Sequence, residues 1–289
     1  MVSCLLCSSQ NCKKIHDRIR YNLSMKPYRC DDCTHVFLYP QMTENEENEF
    51  YKKEYGDSYI EVENIGKYFE SETPEAKIRV NRIKSMLKKT LDIVEIGSAC
   101  GYFLNEIKSL VRSVTGVEPH NDCRNFANKK GLYTVSDMKE LGIEFGAVFM
   151  FHVLEHVKNP KDFLENALSL LKKEGFLLIE VPNIEDILVS TYKIPLYLDF
   201  YYQPAHTHYF SKRAIEFLLN KIDNYRITYE IVPVQRYDLS NHLTWMLEGK
   251  PGGHGKFNNI FSNELNEKYA SDLKRFFLCD TLNIIIRKN

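Results

Sequence analysis

From Leu91 onward the chain alternates between short, nearly continuous apolar runs and longer amphipathic stretches. Apolar runs of that length predict strands, and the stretches between them predict helices. Strands are expected at 91–96, 113–117, 132–135, 146–151 and 175–181, with helices at 101–111, 121–130 and 160–173 between them. Runs such as Ala147-Val148-Phe149-Met150-Phe151 lack polar alternation, as suits central parallel strands covered on both faces. Strand–helix alternation of this kind predicts a doubly wound α/β sheet. After Pro182-Asn183 the rhythm breaks. Residues 184–210 are crowded with aromatics (Tyr192, Tyr197, Phe200, Tyr201, Tyr202, Tyr209, Phe210) and read as an insert. A helix at 211–220 and a strand at 227–234 follow, and a strand at 281–287 closes the chain. A second insert, 235–280, holds the single tryptophan, Trp245, and the Pro251-Gly252-Gly253-His254-Gly255 loop. Both inserts leave from the carboxyl ends of strands, where a substrate lid would sit.

Upstream, Pro74 marks an expected helix start before Ile78, Ile83, Met86 and Leu87. Tyr51, Tyr55 and Tyr59 recur every four residues, an aromatic face if helical. The expected division is a cysteine-bearing module at 1–40, a helical linker or aromatic cap at 41–74, and a main domain at 75–289.

Composition narrows the function classes. Of 289 residues, 44% are apolar and 27% charged, enough for a core, and the net charge of −1 speaks against a general nucleic-acid surface. No apolar run reaches the ~20 residues of a membrane helix, and Met1 to Gln10 lacks the pattern of a signal peptide, so a reducing cytoplasm is expected. Among the eight cysteines, Cys4-x2-Cys7 and Cys30-x2-Cys33 form two knuckles. Four thiolates in this spacing predict a closed, structural zinc site; Cys12, His16 and His35 are spare donors nearby. Disulfides and free structural thiols are the competing readings. Between the knuckles Lys13, Lys14, Arg18, Arg20, Lys26 and Arg29 face only Asp17. They read as a solvated loop, with a docking surface for a phosphate-bearing substrate as the alternative.

The densest chemistry lies at Asp92-Ile93-Val94-Glu95-Ile96-Gly97-Ser98-Ala99-Cys100-Gly101-Tyr102-Phe103. This reads as strand, small-residue turn and helix start, and Glu118 ends the next strand. A small-residue turn lets backbone approach a nucleoside, and a carboxylate at the end of the second strand accepts from both ribose hydroxyls. The chain here resembles class I S-adenosylmethionine-dependent methyltransferases. Glu95-x-Gly97-x-Ala99-x-Gly101 is similar to that family's glycine-rich motif, with Ala for its middle Gly. That replacement is tolerable where the position does not need positive φ. The resemblance extends to Ser136-Asp137-Met138 after the third strand, Phe149 to Val157 with Asn159-Pro160, and Leu171 to Phe176 leading to Val181-Pro182-Asn183. Gly146 departs from the acidic residue that often precedes the fourth strand. The resemblance implies a Rossmann-like seven-stranded sheet and an S-adenosylmethionine site of Glu95, Gly97, Ala99, Gly101, Tyr102, Phe103, Glu118, Pro119, Asp137, Met138, Phe151 and His152. NAD dehydrogenases share the turn and the ribose acid but not the His152-to-His156 segment.

Three histidines are candidate bases. His152 follows the fourth strand. His156 lies four residues on, spaced like half of a metal pair, but no third ligand is evident and it reads as packing or capping. His206 and His208 lie in Ala205-His206-Thr207-His208-Tyr209-Phe210-Ser211. A cysteine module on this fold resembles zinc-binding sugar C-methyltransferases, whose Glu-His pair precedes a Tyr-Phe-Ser run. His206 matches that histidine, Ala205 stands where the Glu would be, His208 has no counterpart, and the family's large C-terminal domain is missing. Loss of the Glu weakens the case for carbon-acid chemistry. O-methylation of a polar small molecule, such as a nucleotide-linked sugar or surface-glycan precursor, is therefore expected, with His206, His152 or His208 as general base. Sugar C-methylation and N-methylation are the alternatives, followed by RNA methylation and a silent zinc-bearing scaffold. The oligomeric state is not indicated.

Overall fold

The computed structural model describes residues 2–43, 45–46 and 64–289. The Tyr51–Tyr59 stripe lies outside them. The first strands are β1 (Cys12–Lys14), β2 (Lys26–Cys30) and β3 (Val36–Tyr39). They are followed by helix α1 (Ile65–Ile83), β4 (Asp92–Ile96), α2 (Tyr102–Ile107), β5 (Ser113–Val117), α3 (Asn121–Lys129), β6 (Thr134–Val135) and β7 (Phe145–Phe151). Next come α4 (Pro160–Ser169), β8 (Leu171–Pro182), α5 (Ile187–Ser190), α6 (Pro195–Tyr201), β9 (His208–Tyr209) and α7 (Lys212–Leu219). The chain closes with β10 (Ile227–Val234), α8 (Leu239–Glu248), α9 (Asn263–Arg275) and β11 (Thr281–Lys288).

Seven strands form one sheet in the order β10-β11-β8-β7-β4-β5-β6, with β11 antiparallel to both its neighbours and the pairs from β8 to β6 parallel. The order reverses at β4, so the carboxyl ends of β4 and β7 open a crevice there. The apolar runs explain the two-layer core. Val94, Ile96, Val148, Met150, Leu177 and Ile179 face one side, and Ile93, Ala147, Phe149, Phe151 and Leu178 the other.

The long helix α1 starts nine residues before Pro74, which lies inside it. Its buried face is Ala76, Arg79, Val80 and Ile83, whereas Ile78 is exposed. The expected helix to 173 ends at Ser169, because Leu171 pairs with Phe145 and draws the chain into β8 early. The start of α4 is as its sequence dictates: Pro160 opens it and Asn159 Oδ1 accepts from Asp162 N at 3.3 Å.

The cysteine module is not separate from the main body. β3 pairs with β9, so the sheet β1-β2-β3-β9 joins the module to the 184–210 insert. Cys4, Cys30, Cys33 and Phe37 share a core with Phe210 and Ile215. Three of the basic residues between the knuckles meet acids or carbonyls remote in sequence, while Lys14 pairs locally with Asp17 and Lys26 with the Leu23 carbonyl. Lys13 pairs with Asp31, Arg18 approaches Asp199, and Arg20 donates to the Phe200 carbonyl at 2.8 Å. Lys13, Lys14, Arg18 and Arg29 nevertheless stay exposed, so the segment remains solvated while tied to its neighbours.

Candidate active site

The turn after β4 is built by backbone rather than by side chains. Gly97 (φ +75°) and Gly101 (φ +80°) occupy the left-handed region. A Cβ on Gly97 would lie 2.5 Å from Val153 Cγ2. Ala99 also has positive φ, +43°, so the expectation that this position could stay right-handed does not hold. A methyl side chain there carries modest strain. Glu118 ties the turn to β5: Oε2 accepts from Ala99 N at 2.8 Å and Oε1 from His120 N at 2.7 Å. Burial raises its carboxyl, and those two N–H groups oppose the rise. Each oxygen keeps a lone pair, as ribose hydroxyls require.

Glu95 lies beneath the turn. Burial pushes its carboxyl up to about 8, the Arg79 cation working against the shift and Glu118 with it. Its Oε2 has no hydrogen-bond partner. A buried polar atom without a partner is costly unless a ligand meets it, so the Gly97 cradle, Glu118 and this atom together fit the nucleoside and amino-acid parts of S-adenosylmethionine. Asp137 is exposed and caps the next turn through Oδ1, leaving Oδ2 for an adenine amine. Met138 packs beside it, half-buried, and Pro119 stands exposed at the rim. Tyr102 starts α2 and meets Tyr68 edge-on. Phe103 does not line the crevice. It is fully buried against Phe149 and Phe151, at 5.2 and 4.7 Å, and supports the site from below.

His152 sits at the end of β7 with φ +56°. Its Nδ1 lies 3.2 Å from Glu155 Oε1, and its Nε2 lies 2.8 Å from Arg236 Nη1 and 3.3 Å from Glu180 Oε1. Arg236 can only donate, so Nε2 accepts and the ring proton resides on Nδ1, facing Glu155. Burial and Arg236 lower its affinity for a second proton, but the two carboxylates outweigh them and raise it. Glu180 anchors the group. It receives Arg79 at 2.6 Å and Arg82 at 3.1 Å, and Arg236 reaches Glu75 at 3.3 Å. Burial would raise the Glu180 carboxyl; His152, Arg79 and Arg236 hold it well below the usual range. This ion network was missed in the sequence. Its one signal was Glu180 inside the apolar run Phe176 to Val181, since a carboxylate in a central strand needs cationic partners.

The insert brings His206 to His156, ring centroids 4.7 Å apart and edge-on. His156 Nδ1 donates to the Ala205 carbonyl at 2.8 Å, and the Gln203 amide meets His206 Nε2 at 2.7 Å. Burial, then the neighbouring His156 and His152, hold His206 well below the ordinary histidine value. His208, the third expected base, is withdrawn from the crevice. It is fully buried on β9, stacked on His35 and Phe210, with Nδ1 3.0 Å from His35 Nε2, and burial lowers it to about 3. Strand pairing with the module explains this placement, because alternate residues of β9 face opposite sides.

The four knuckle thiols converge. Cys4 Sγ lies 3.6 Å from Cys33 Sγ and Cys7 Sγ 3.5 Å from Cys30 Sγ, with all four within 4.8 Å. A tetrahedral zinc with Zn–S near 2.3 Å needs sulfurs about 3.8 Å apart, so the set fits. His35 Nδ1 lies 3.7 Å from Cys4 Sγ, behind the thiolates. Cys12 donates to the Ser9 carbonyl and His16 pairs with Asp199, so neither spare donor joins the cluster.

Residues 68–225 match the family described as methyltransferase domain, more than half of the chain. Two solved structures have the same fold. One is a SAM-dependent methyltransferase from Archaeoglobus fulgidus (20% identity, TM-score 0.50, covering 75% of this chain and 94% of that one). The other is a SAM-dependent methyltransferase from Thermotoga maritima, described as a possible histamine N-methyltransferase (19% identity, TM-score 0.50, 79% and 98% covered). No curated protein matches the sequence.

Proposed function

We propose, for a chain that belongs to the methyltransferase-domain family and is an S-adenosylmethionine-dependent methyltransferase, that the acceptor is a polar small molecule methylated on oxygen. The cofactor supplies a sulfonium-bound methyl group. The protein's work is to hold donor and acceptor in line and to exclude water. Gly97, Gly101 and Glu118 hold the donor, with Asp137 beside the adenine.

One observation carries the acceptor reading. Two buried polar atoms, Tyr201 Oη and Glu155 Oε2, have no hydrogen-bond partner among the described residues. Tyr201 packs on Tyr209 at 5.6 Å, and Tyr209 on His206 at 5.7 Å. Unpaired donors and acceptors of this kind select a hydroxyl-rich partner over an apolar one. A nucleotide-linked sugar or surface-glycan precursor fits that description. Arg18 and Arg20 on the module lie next to α6, which precedes this pocket, where a phosphate would be met. His206 is the residue proposed to activate the acceptor oxygen, with His152 second. The four cysteines are proposed to hold zinc, which keeps β3 and hence β9 in place.

The test is His206→Ala against a panel of sugar nucleotides. Turnover should fall at least about a hundredfold while S-adenosylmethionine affinity is kept. An unchanged rate removes His206 from the mechanism. Methyl found on carbon or nitrogen of the product replaces the oxygen reading with C- or N-methylation.

A further inference from the structure

In sequence His152 and His156 have the spacing of a metal pair without a third ligand; the fold keeps His156 and groups it with Glu155 and His206 instead of His152. The described residues contain two clusters able to hold an ion: the cysteines, and Glu155, His156 and His206. In the second, one donor atom from each residue lies within 4.8 Å of the others.

We propose that Glu155, His156 and His206 bind one divalent cation through two imidazole nitrogens and a carboxylate oxygen. The open positions on that cation would receive the acceptor oxygen, and only this last assignment rests on the reading above. Glu155 is 1% exposed, and its Oε2 is left without a hydrogen bond while Oε1 takes the proton of His152 Nδ1. A buried carboxylate with one oxygen satisfied and the other bare is a ligand lacking its cation. The His156 ring is held as ligating histidines are held, by a second bond on the other nitrogen. His156 Nδ1–H goes to the Ala205 carbonyl, which leaves the Nε2 lone pair free. Gln203 Nε2 lies 2.7 Å from His206 Nε2 and donates to it in this orientation; with the amide turned over, its oxygen would accept Nε2–H and leave Nδ1 as the ligand atom.

The donor set decides the class of ion. Two imidazoles and one carboxylate suit zinc, cobalt or manganese better than magnesium or calcium, which favour oxygen donors. Three protein ligands leave the shell open, in contrast to the closed Cys4 set. An open divalent ion acidifies a bound hydroxyl; its proton would leave to water while the oxygen–methyl bond forms and the sulfonium–methyl bond breaks, so His206 would act as a ligand of the activating ion and not by taking the proton onto its ring.

The experiment uses the full chain with zinc already in the cysteine site and Co²⁺ as the probe, without acceptor. One further cobalt per chain should bind, giving the ligand-field absorption of nitrogen and oxygen ligation and no sulfur-to-cobalt charge transfer. His206→Ala, His206→Gln and Glu155→Gln should each weaken that binding at least about tenfold, with zinc content and S-adenosylmethionine affinity unchanged. A variant that loses its affinity for the cofactor is set aside, and the remaining ones decide. Wild-type protein that takes up no second metal overturns the proposal, as does sulfur charge transfer from exchange into the cysteines, or equal binding by His206→Ala. Because no acceptor is present, a wrong acceptor leaves this result untouched. A cobalt site on an enzyme that methylates no sugar would sink only the acceptor reading.

Discussion

The proposed cofactor cradle and the proposed acceptor edge are made in opposite ways. The cradle is local: Glu95, Gly97, Gly101 and Glu118 fall within one strand–turn–helix–strand unit, and its geometry follows from two left-handed glycines and one carboxylate. The acceptor edge is assembled from a distance. His152, Glu155 and His156 follow β7, His206 arrives from the first insert, Arg236 from the second and Glu180 from β8. The cysteine module then holds β9 from outside. A local unit tolerates disturbance elsewhere, whereas an assembled one fails when any contributor shifts.

Removing the metal proposed for the cysteine site tests that difference most strongly. Chelation should unfold the cysteine module, since such sites carry most of their own folding energy. Turnover should vanish with the alignment of β9, while S-adenosylmethionine affinity changes less than about threefold, as a binding titration would show. A parallel loss of cofactor binding would mean that the two regions are not independent.

Gly97→Ala attacks the other side. The new Cβ meets Val153 Cγ2 and forces an unfavourable φ. S-adenosylmethionine affinity should drop roughly ten- to a hundredfold, from strain of about 1–3 kcal/mol. Metal content should stay at the wild-type level.

Glu95 gives a pH signature confined to the cradle. Its carboxyl stands near 8 in the fold, against 4.5 ordinarily. Between those values the folded chain holds a proton that the unfolded chain releases, so this group makes stability fall as pH rises through that window. Glu95→Gln removes the titration. Relative to wild type, the variant should gain about 1–3 kcal/mol on going from pH 5 to pH 8, read from denaturant midpoints. Parallel wild-type and variant curves would show that Glu95 ionises normally.

The smallest effect belongs to Ala99→Gly. Relief of the +43° strain is offset by a freer unfolded chain, for a net gain below about 1 kcal/mol. A melting-temperature rise of about 1–3 °C is expected, and a fall would show that the turn prefers the methyl group.

The degree to which each region was legible follows from how each is made. Strands at 113–117 and 227–234 matched their sequence bounds to the residue, the first as a parallel strand inside the sheet and the second as an antiparallel edge strand marked by its β-branched and aromatic residues. The start of α1, the end of α4 and the burial of Phe103 were misjudged, each decided by what packs against the segment. His208 resembled a base in sequence and proved to be a core imidazole, because the register of β9 turns it towards the module.

The sequence by itself determined the sheet, the small-residue turn and the strand-end carboxylate proposed to hold the nucleoside, and the paired cysteine knuckles. All of these are short-range patterns in which side-chain size and spacing act within one or two elements. Only the tertiary structure decided that Glu155 and His156 meet His206, that Glu180 meets His152 while pairing with Arg79 and Arg82, and that the module extends the insert's own strand. Those contacts span from about twenty-five to nearly two hundred residues of chain. Spacing in sequence carries no distance information at that range; it is the closing of the sheet and the docking of the inserts that bring the groups together.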